Sequence, residues 1–254
     1  MIGRLREWFR KHPAPEPDKP AVERLTLLRK NLGISIPDED LHFFTKALRH
    51  RSIVDKSGYE SHETYERLEF LGDAVLDLIV TEILFEKYPT ENEGFLTKMR
   101  AKIVKGDTLH KLALSLELNK ALEIGDRASG QGVELSKSVL ADVYEAIIAA
   151  IYVSQGYEKT FLFVEQNLNS YLDLKKIETK VDNFKSVLME YTQAEKMPLP
   201  EYRVISEEGP GHNKTFSVAV FVNNRKAGEG EGKSKKQAEQ LAARDALAKL
   251  DLPH

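Results

Sequence analysis

Two apolar segments of the chain each carry closely spaced carboxylates. The first places three of them at positions i, i+3 and i+7, on one face of a helix: Glu66, Glu69 and Asp73. The second places Asp142 and Glu145 at i and i+3. Both helices are apolar nearly all round, so we expect them to be buried. Carboxylates that cluster in apolar surroundings need a cation to neutralise them.

Two kinds of cation are consistent with this pattern. A nearby basic side chain is one, and Arg67 and Lys137 are the candidates in sequence. A hard divalent ion is the other, because a set of oxygen ligands without His or Cys suits Mg²⁺, with Mn²⁺ as a substitute. Magnesium held by carboxylates with open water positions is typical of phosphodiester hydrolysis.

Composition narrows the remaining chemistry. The 254 residues include no cysteine, which excludes thiolate nucleophiles and Cys-ligated zinc. The formal net charge is −3, so any nucleic-acid surface must be a local basic patch. We expect no run long enough to span a bilayer, no membrane partner and, since residues 1–11 lack the apolar centre of an export signal, a cytoplasmic location.

Hydrophobic periodicity predicts an all-α domain followed by a small α+β domain. The predicted parts are a flexible extension at 1–20, a helical domain at 21–174, a linker at 175–181 and an α-β-β-β-α domain at 182–252. Predicted helices of the first domain are Ala21–Asn31, Asp38–Leu48, Glu63–Tyr88, Gly94–Leu116, Lys137–Ser154 and Glu158–Leu172. In the second domain, Asn223–Asn224 predicts a hairpin turn.

The motifs around the carboxylates resemble the ribonuclease III family. ERLEFLGDA at 66–74 is similar to the family signature, and SVLADVYEA at 138–146 is similar to its second motif. His50–Arg51–Ser52 and Glu93–Gly94 also fit the family pattern. The resemblance implies a homodimeric, Mg²⁺-dependent endonuclease that acts on double-stranded RNA.

The same resemblance assigns roles by motif position. The implied metal ligands are Glu69, Asp73, Asp142 and Glu145, and Asp73 and Glu145 are also the implied catalytic pair. Glu66 and Glu93 are implied to support the site, and Phe70 to insert into the partner subunit. An ordinary core phenylalanine is the alternative for Phe70. Tyr65 stands where many members have asparagine, and we expect it not to touch a metal ligand.

The C-terminal domain resembles a double-stranded RNA-binding domain. A-form RNA is recognised through its minor groove and its phosphates rather than its deep major groove. The residues implied to reach minor grooves are Ser186, Glu190, Gln193 and His212. Lys233, Lys235 and Lys236, at the start of the last helix, are implied to contact phosphates. Taken alone, such lysines are usually a solvated face.

Three functions remain open at this point. The first is a double-strand-specific ribonuclease that leaves 5′-phosphate and 3′-hydroxyl ends with a short 3′ overhang, and that processes ribosomal RNA precursors and structured messenger RNAs. The second is a non-catalytic double-stranded RNA-binding protein of the same architecture. The third is a magnesium-dependent phosphohydrolase with another substrate, which the C-terminal domain argues against. The presence of all four carboxylates favours the first.

Overall fold

The computed structural model describes residues 19–54, 59–174, 183–210 and 214–250. The chain divides into two compact units, residues 1–177 and residues 178–254. The predicted linker and nearly all of the predicted extension lie outside the described residues, so those boundaries stay predictions.

The first unit is helical. Its described residues form α1 (Lys19–Leu32), α2 (Leu41–Ala47), α3 (Glu66–Lys87), α4 (Glu93–Ile103), α5 (Gly106–Ser115), α6 (Leu118–Ala121), α7 (Lys137–Gln155) and α8 (Tyr157–Tyr171). Short 3₁₀ turns lie at Asp38–Asp40, Arg51–Ile53, Ser61–Glu63 and Val133–Leu135. The predicted all-α first domain is confirmed.

Helix α7 lies at the centre of this unit, packed against α2, α3, α5 and α8. Its 19 residues are long and apolar enough to cross a membrane by length and composition, so the expectation that no such run exists is wrong. However, 67% of the tested window is buried inside the protein. A run whose apolar side chains are already covered by neighbouring helices is typical of the core helix of a folded domain.

Helix α3 is buried on one face only. Leu68, Leu76 and Ile79 lie in the core. In contrast, Phe70, Leu78 and Phe85 are 83%, 56% and 70% exposed. The prediction that this helix is buried all round is therefore wrong. Its apolar residues lie on two faces, one buried in the core and one exposed. Hydrophobic periodicity alone does not distinguish these two faces.

The predicted helix Gly94–Leu116 is two helices. Helix α4 ends at Ile103, and Lys105 adopts an extended conformation (φ −65°, ψ 138°) before α5 begins at Gly106. The Thr108 hydroxyl donates to the carbonyl of Lys102 across this break, at 3.0 Å. No proline marks the break, which is why the sequence pattern continued through it.

The second unit has the predicted order of helix, three strands and helix: α9 (Phe184–Ala194), β1 (Glu201–Glu208), β2 (Thr215–Val222), β3 (Arg225–Gly232) and α10 (Lys235–Lys249). The strands form one antiparallel sheet in the order β1-β2-β3. Asn223 and Asn224 both have positive φ, 53° and 61°, as a two-residue hairpin turn requires.

Glycines in β3 let this strand lie against α10. A Cβ atom on Gly230 would lie 2.3 Å from the backbone nitrogen of Ala242, and one on Gly228 would lie 2.4 Å from the Ala242 carbonyl oxygen. The facing side of α10 is lined by alanines, which complete the close contact. The small core of this unit therefore depends on residues without large side chains at the strand–helix interface.

Candidate metal centre and nucleic-acid interface

Helices α3 and α7 meet at the acidic motifs. Gly72 is buried at this crossing, and a Cβ atom on it would lie 1.8 Å from the carbonyl oxygen of Glu145. No side chain fits in that space, so glycine allows the two backbones to touch. The close approach brings the carboxylates of the two helices to the same place. The sequence contains this glycine in the motif, but its contact with α7 could not be seen from spacing.

Three carboxylates converge there. Glu69, Asp142 and Glu145 each place one oxygen within 4.8 Å of the others, and all three side chains are half-buried. An octahedral ion with oxygen ligands at about 2.1 Å separates neighbouring ligand oxygens by roughly 3 Å and opposite ones by roughly 4 Å. A small contraction of the observed triad therefore fits a magnesium-sized ion, and its donor chemistry is the kind that Mg²⁺ prefers.

The electrostatics of this triad disfavour three negative charges. Burial, followed by the charges of Asp73 and Asp142, raises the pKa of Glu145 to about 8. Burial and the charge of Asp142 also raise the pKa of Glu69. Burial and the charge of Glu66 raise the pKa of Asp142. At neutral pH the metal-free site thus keeps a proton on Glu145 that a bound cation would displace.

The triad has no ion-pair partner among the basic side chains that the structure describes. Within the described residues, no lysine or arginine forms an ion pair with Glu69, Asp142 or Glu145. Lys137, a candidate partner from the sequence, pairs with Asp107 at 3.2 Å instead. Arg51 lies close enough for its charge to lower the pKa of Asp142, but in the described part of the chain it makes no ion pair with that carboxylate.

Of the other predicted acidic residues, Asp73 and Glu66 lie close to the triad, whereas Glu93 lies with Thr81 and Phe85 at the other end of α3. Asp73 is exposed one helical turn beyond Glu69 and is not one of the three converging residues, although its charge raises the pKa of both Glu69 and Glu145. Glu66 accepts a hydrogen bond from the Thr64 hydroxyl. Glu93 begins α4, where it accepts a hydrogen bond from Thr97 at 2.9 Å.

Tyr65 corrects one expectation from the sequence. Its side chain is buried immediately before α3, and its hydroxyl lies close enough to the carboxylate of Asp142 for hydrogen bonding to lower the pKa of that group. The expectation that this residue does not touch a candidate metal ligand is therefore wrong. Burial and the charge of Asp142 raise the pKa of Tyr65, so the hydroxyl keeps its proton and remains a donor.

Contacts made by the segment His50–Ser52 stabilise the turn that contains Arg51. The Ser52 hydroxyl lies 2.9 Å from His50 Nδ1 and accepts from the backbone N–H of Gly125 at 2.9 Å. A Cβ atom on Gly125 would lie 2.2 Å from the carbonyl oxygen of Ser52. Residues 50–52 therefore hold the loop after α6 against the turn beside the triad, which sequence reasoning did not detect.

The predicted RNA contacts of the second unit lie on α9 and at the start of α10. Glu190 and Gln193 are exposed and Ser186 is half-exposed, at helical spacings that place them on one face of α9. His212 lies outside the described residues. Ser234 caps α10 by accepting from the backbone N–H of Gln237 at 3.2 Å. The exposed lysines of the predicted phosphate site therefore lie at the N-terminus of this helix, where anions are favoured.

Comparisons with known proteins match both units. The ribonuclease-III-like family matches residues 40–172, and the double-stranded RNA binding motif matches residues 184–250. A ribonuclease 3 from Chlorobaculum tepidum is 44% identical over 210 residues, which are 82% of this chain and 77% of that protein. The chain belongs to the ribonuclease III family. A ribonuclease 3 from Bacillus cereus is 39% identical over 242 residues, 95% of this chain and 98% of that protein.

A solved structure is similar to the first unit. It is the nuclease domain of ribonuclease III from Campylobacter jejuni, described with structural flexibility in a region involved in dimer formation. It is 33% identical with a TM-score of 0.53, and the match covers 58% of this chain and 97% of that one. Membership of the ribonuclease III family confirms the predicted enzyme class and the order of the two domain types. The roles given to single residues stay predictions.

Proposed function

We propose that this ribonuclease III cuts both strands of double-stranded RNA and leaves 5′-phosphate and 3′-hydroxyl ends with a short 3′ overhang. The observation that carries the proposal is the convergence of Glu69, Asp142 and Glu145 without a basic partner among the described residues. Three carboxylates with raised pKa values in one half-buried place are costly unless they bind a cation. A site for phosphodiester hydrolysis explains that cost.

The residues of the site have different proposed roles. Glu69, Asp142 and Glu145 would hold Mg²⁺, or Mn²⁺ in its place, and a bound ion of this kind activates water and offsets charge on the phosphate. Glu145 gives up its proton when the site is filled. Tyr65 would orient Asp142, and Asp73, an exposed carboxylate beside the triad, would face the RNA. Glu66 supports the site through its charge on Asp142.

The second unit supplies the substrate class. Its match to the double-stranded RNA binding motif supports a role for Ser186, Glu190 and Gln193 in minor grooves, with His212 as a further contact. Lys233, Lys235 and Lys236 would bind phosphates. Shape and charge dominate this kind of recognition, so we expect little preference for sequence. Ribosomal RNA precursors and structured messenger RNAs in the cytoplasm are the substrates that we propose.

A homodimer would give each strand of the duplex its own active site. Phe70 is 83% exposed, which is unusual for a side chain of its size. A cavity of about 510 Å³, lined by Thr81, Phe85, Glu93 and Arg100 among others, opens on the same helix. Thr81 follows Phe70 by 11 residues, so both lie on one face of α3, about 16 Å apart.

The spacing between Phe70 and the cavity is compatible with a dimer that has two-fold symmetry. If two α3 helices cross in opposite directions between these points, each Phe70 meets the cavity of the other copy, and both contacts form together. Glu93, at the cavity, would then support the site across the dimer, as its motif position implies. The dimer-forming region described for the Campylobacter jejuni nuclease domain supports an assembly of this kind.

The direct experiment compares perfect duplex RNA with single-stranded RNA, each with Mg²⁺ and with EDTA. We expect cleavage of the duplex only with Mg²⁺, with a 5′-phosphate on each product. Glu145→Gln and Asp73→Asn in the full chain should reduce cleavage roughly a hundredfold or more while duplex binding persists. Binding without any cleavage by the unaltered chain would instead support the non-catalytic RNA-binding function.

A further inference from the structure

One carboxylate lies among the cations of the predicted RNA-binding surface. Glu207, near the end of β1, pairs with Lys235 Nζ at 2.8 Å and with Lys214 Nζ at 3.4 Å. Lys235 is one of the three lysines at the start of α10, and Lys214 precedes β2. The hydrogen bond from Lys235 lowers the pKa of Glu207, so this carboxylate is ionised at neutral pH.

The two lysines are therefore not equivalent to Lys236. Within the described residues, Lys236 makes no ion pair. Lys235 is held by Glu207 and also lies 5.5 Å from the ring centroid of Phe216. A phosphate that approaches Lys235 or Lys214 has to share the lysine with the carboxylate or displace it.

The strength of these ion pairs decides whether RNA phosphates can compete with Glu207 for the two lysines. Ion pairs at a protein surface contribute little to the stability of the folded state, so phosphates at high local density can displace them. A carboxylate that remains within about 8 Å of bound phosphates still repels them, because this is the screening distance at physiological salt. Glu207 should therefore weaken RNA binding without preventing it.

We propose that Glu207 limits the affinity of this enzyme for double-stranded RNA, by holding Lys235 and Lys214 in an internal ion pair that RNA phosphates must open. This inference rests on the proposed function of the second unit. It gives the surface a moderate affinity, which suits an enzyme that has to release cut duplexes.

Glu207→Gln in the full chain tests the proposal. Binding to an RNA duplex of about 30 base pairs, longer than the roughly 16 that one such domain spans, is measured in EDTA over a series of salt concentrations. We expect roughly threefold to tenfold tighter binding than the unaltered chain and a steeper dependence on salt, because more lysines become available to phosphates.

Glu208→Gln is the matched control. It removes the same charge one residue later, from the opposite face of β1, and within the described residues Glu208 makes no ion pair. We expect it to bind RNA nearly as the unaltered chain does. Unchanged or weaker binding by Glu207→Gln, or an equal gain in Glu208→Gln, would overturn the proposal.

Lys236→Ala separates this inference from the proposed function. If Lys236→Ala does not weaken binding, the assigned phosphate surface is wrong. If it weakens binding while Glu207→Gln leaves binding unchanged, the surface is right and only the restraining role of Glu207 is wrong.

Discussion

Gly72 on α3 and Glu145 on α7 are in backbone contact, so closely that a Cβ atom on Gly72 would lie 1.8 Å from the Glu145 carbonyl oxygen. The contact fixes how near the carboxylates of α3 and α7 come to one another. The absence of a Cβ atom at position 72 therefore allows the carboxylates of the two helices to form one shared acidic site.

Gly72→Ala should separate the two helices. We expect a loss of roughly 1–3 kcal/mol in the free energy of unfolding, as for an overpacked core, and weaker Mg²⁺ binding because the triad opens. Chemical denaturation and calorimetric titration measure the two effects. Gly106→Ala is the control, since its added Cβ would meet only the Ala141 Cβ at 4.0 Å. Equal behaviour of the two variants would refute the role of the Gly72 contact.

Tyr65→Phe should loosen Asp142 without disturbing the fold. The variant keeps the buried ring and removes only the hydroxyl whose interaction with Asp142 lowers the pKa of that carboxyl. We expect about tenfold weaker Mg²⁺ binding, the usual effect of losing a group that orients a metal ligand. Tyr144→Phe is a matched control, because the described residues give its buried hydroxyl no hydrogen-bond partner. Unchanged Mg²⁺ affinity in Tyr65→Phe would show that Asp142 is held by other means.

The raised pKa of Glu145 makes metal binding depend on pH. Below its pKa of about 8 the metal-free protein keeps a proton that Mg²⁺ must displace, so Mg²⁺ affinity should rise with pH and level off above about 8. The stability of the metal-free protein, measured in EDTA, depends on pH in the opposite direction and falls as the pH rises. Because the folded-state pKa exceeds the unfolded value, the stabilisation is complete at acidic pH and is lost as the pH rises through about 8.

Thermal unfolding in EDTA checks this linkage. The melting temperature of the unaltered chain should fall relative to that of Glu145→Gln between pH 6 and 9, a range that brackets the pKa of about 8. Glu86→Gln, which removes an exposed carboxylate near the end of helix α3, should follow the unaltered chain. Parallel curves for the unaltered chain and Glu145→Gln would show that Glu145 is ionised throughout.

Phe70→Ala should dissociate the proposed homodimer. The side chain buries little within its own subunit, so its removal should leave the melting temperature of the monomer almost unchanged. We expect the dimer dissociation constant to rise roughly thirtyfold or more, as for a central aromatic contact. Sedimentation velocity measures this, with the exposed Leu162→Ala on α8 as control. A stable Phe70→Ala dimer would exclude Phe70 as a main contact.

The sequence predicted what depends on local periodicity. The spacing of Glu66, Glu69 and Asp73 is fixed by the helix itself, and the turn at Asn223–Asn224 by residues that tolerate positive φ. The contact between Tyr65 and Asp142 could not be predicted in this way, because it joins residues 77 positions apart through the packing of α3 and α7.

The exposed face of α3 shows a second limit. Phe70, Leu78 and Phe85 are as apolar as the core residues beside them, and hydrophobic periodicity counts them as core. Only the fold shows that they face away from it. A helix with apolar residues on two faces indicates a second surface to be covered, and the sequence does not say whether a core or another subunit covers it.

The most direct test of the metal site is anomalous diffraction from crystals of the full chain soaked in Mn²⁺. We expect a peak at about 2.1–2.2 Å from carboxylate oxygens of Glu69, Asp142 and Glu145, and no such peak in Glu145→Gln crystals. A Mn²⁺ peak elsewhere, or an empty triad at saturating Mn²⁺ and alkaline pH, would contradict the account.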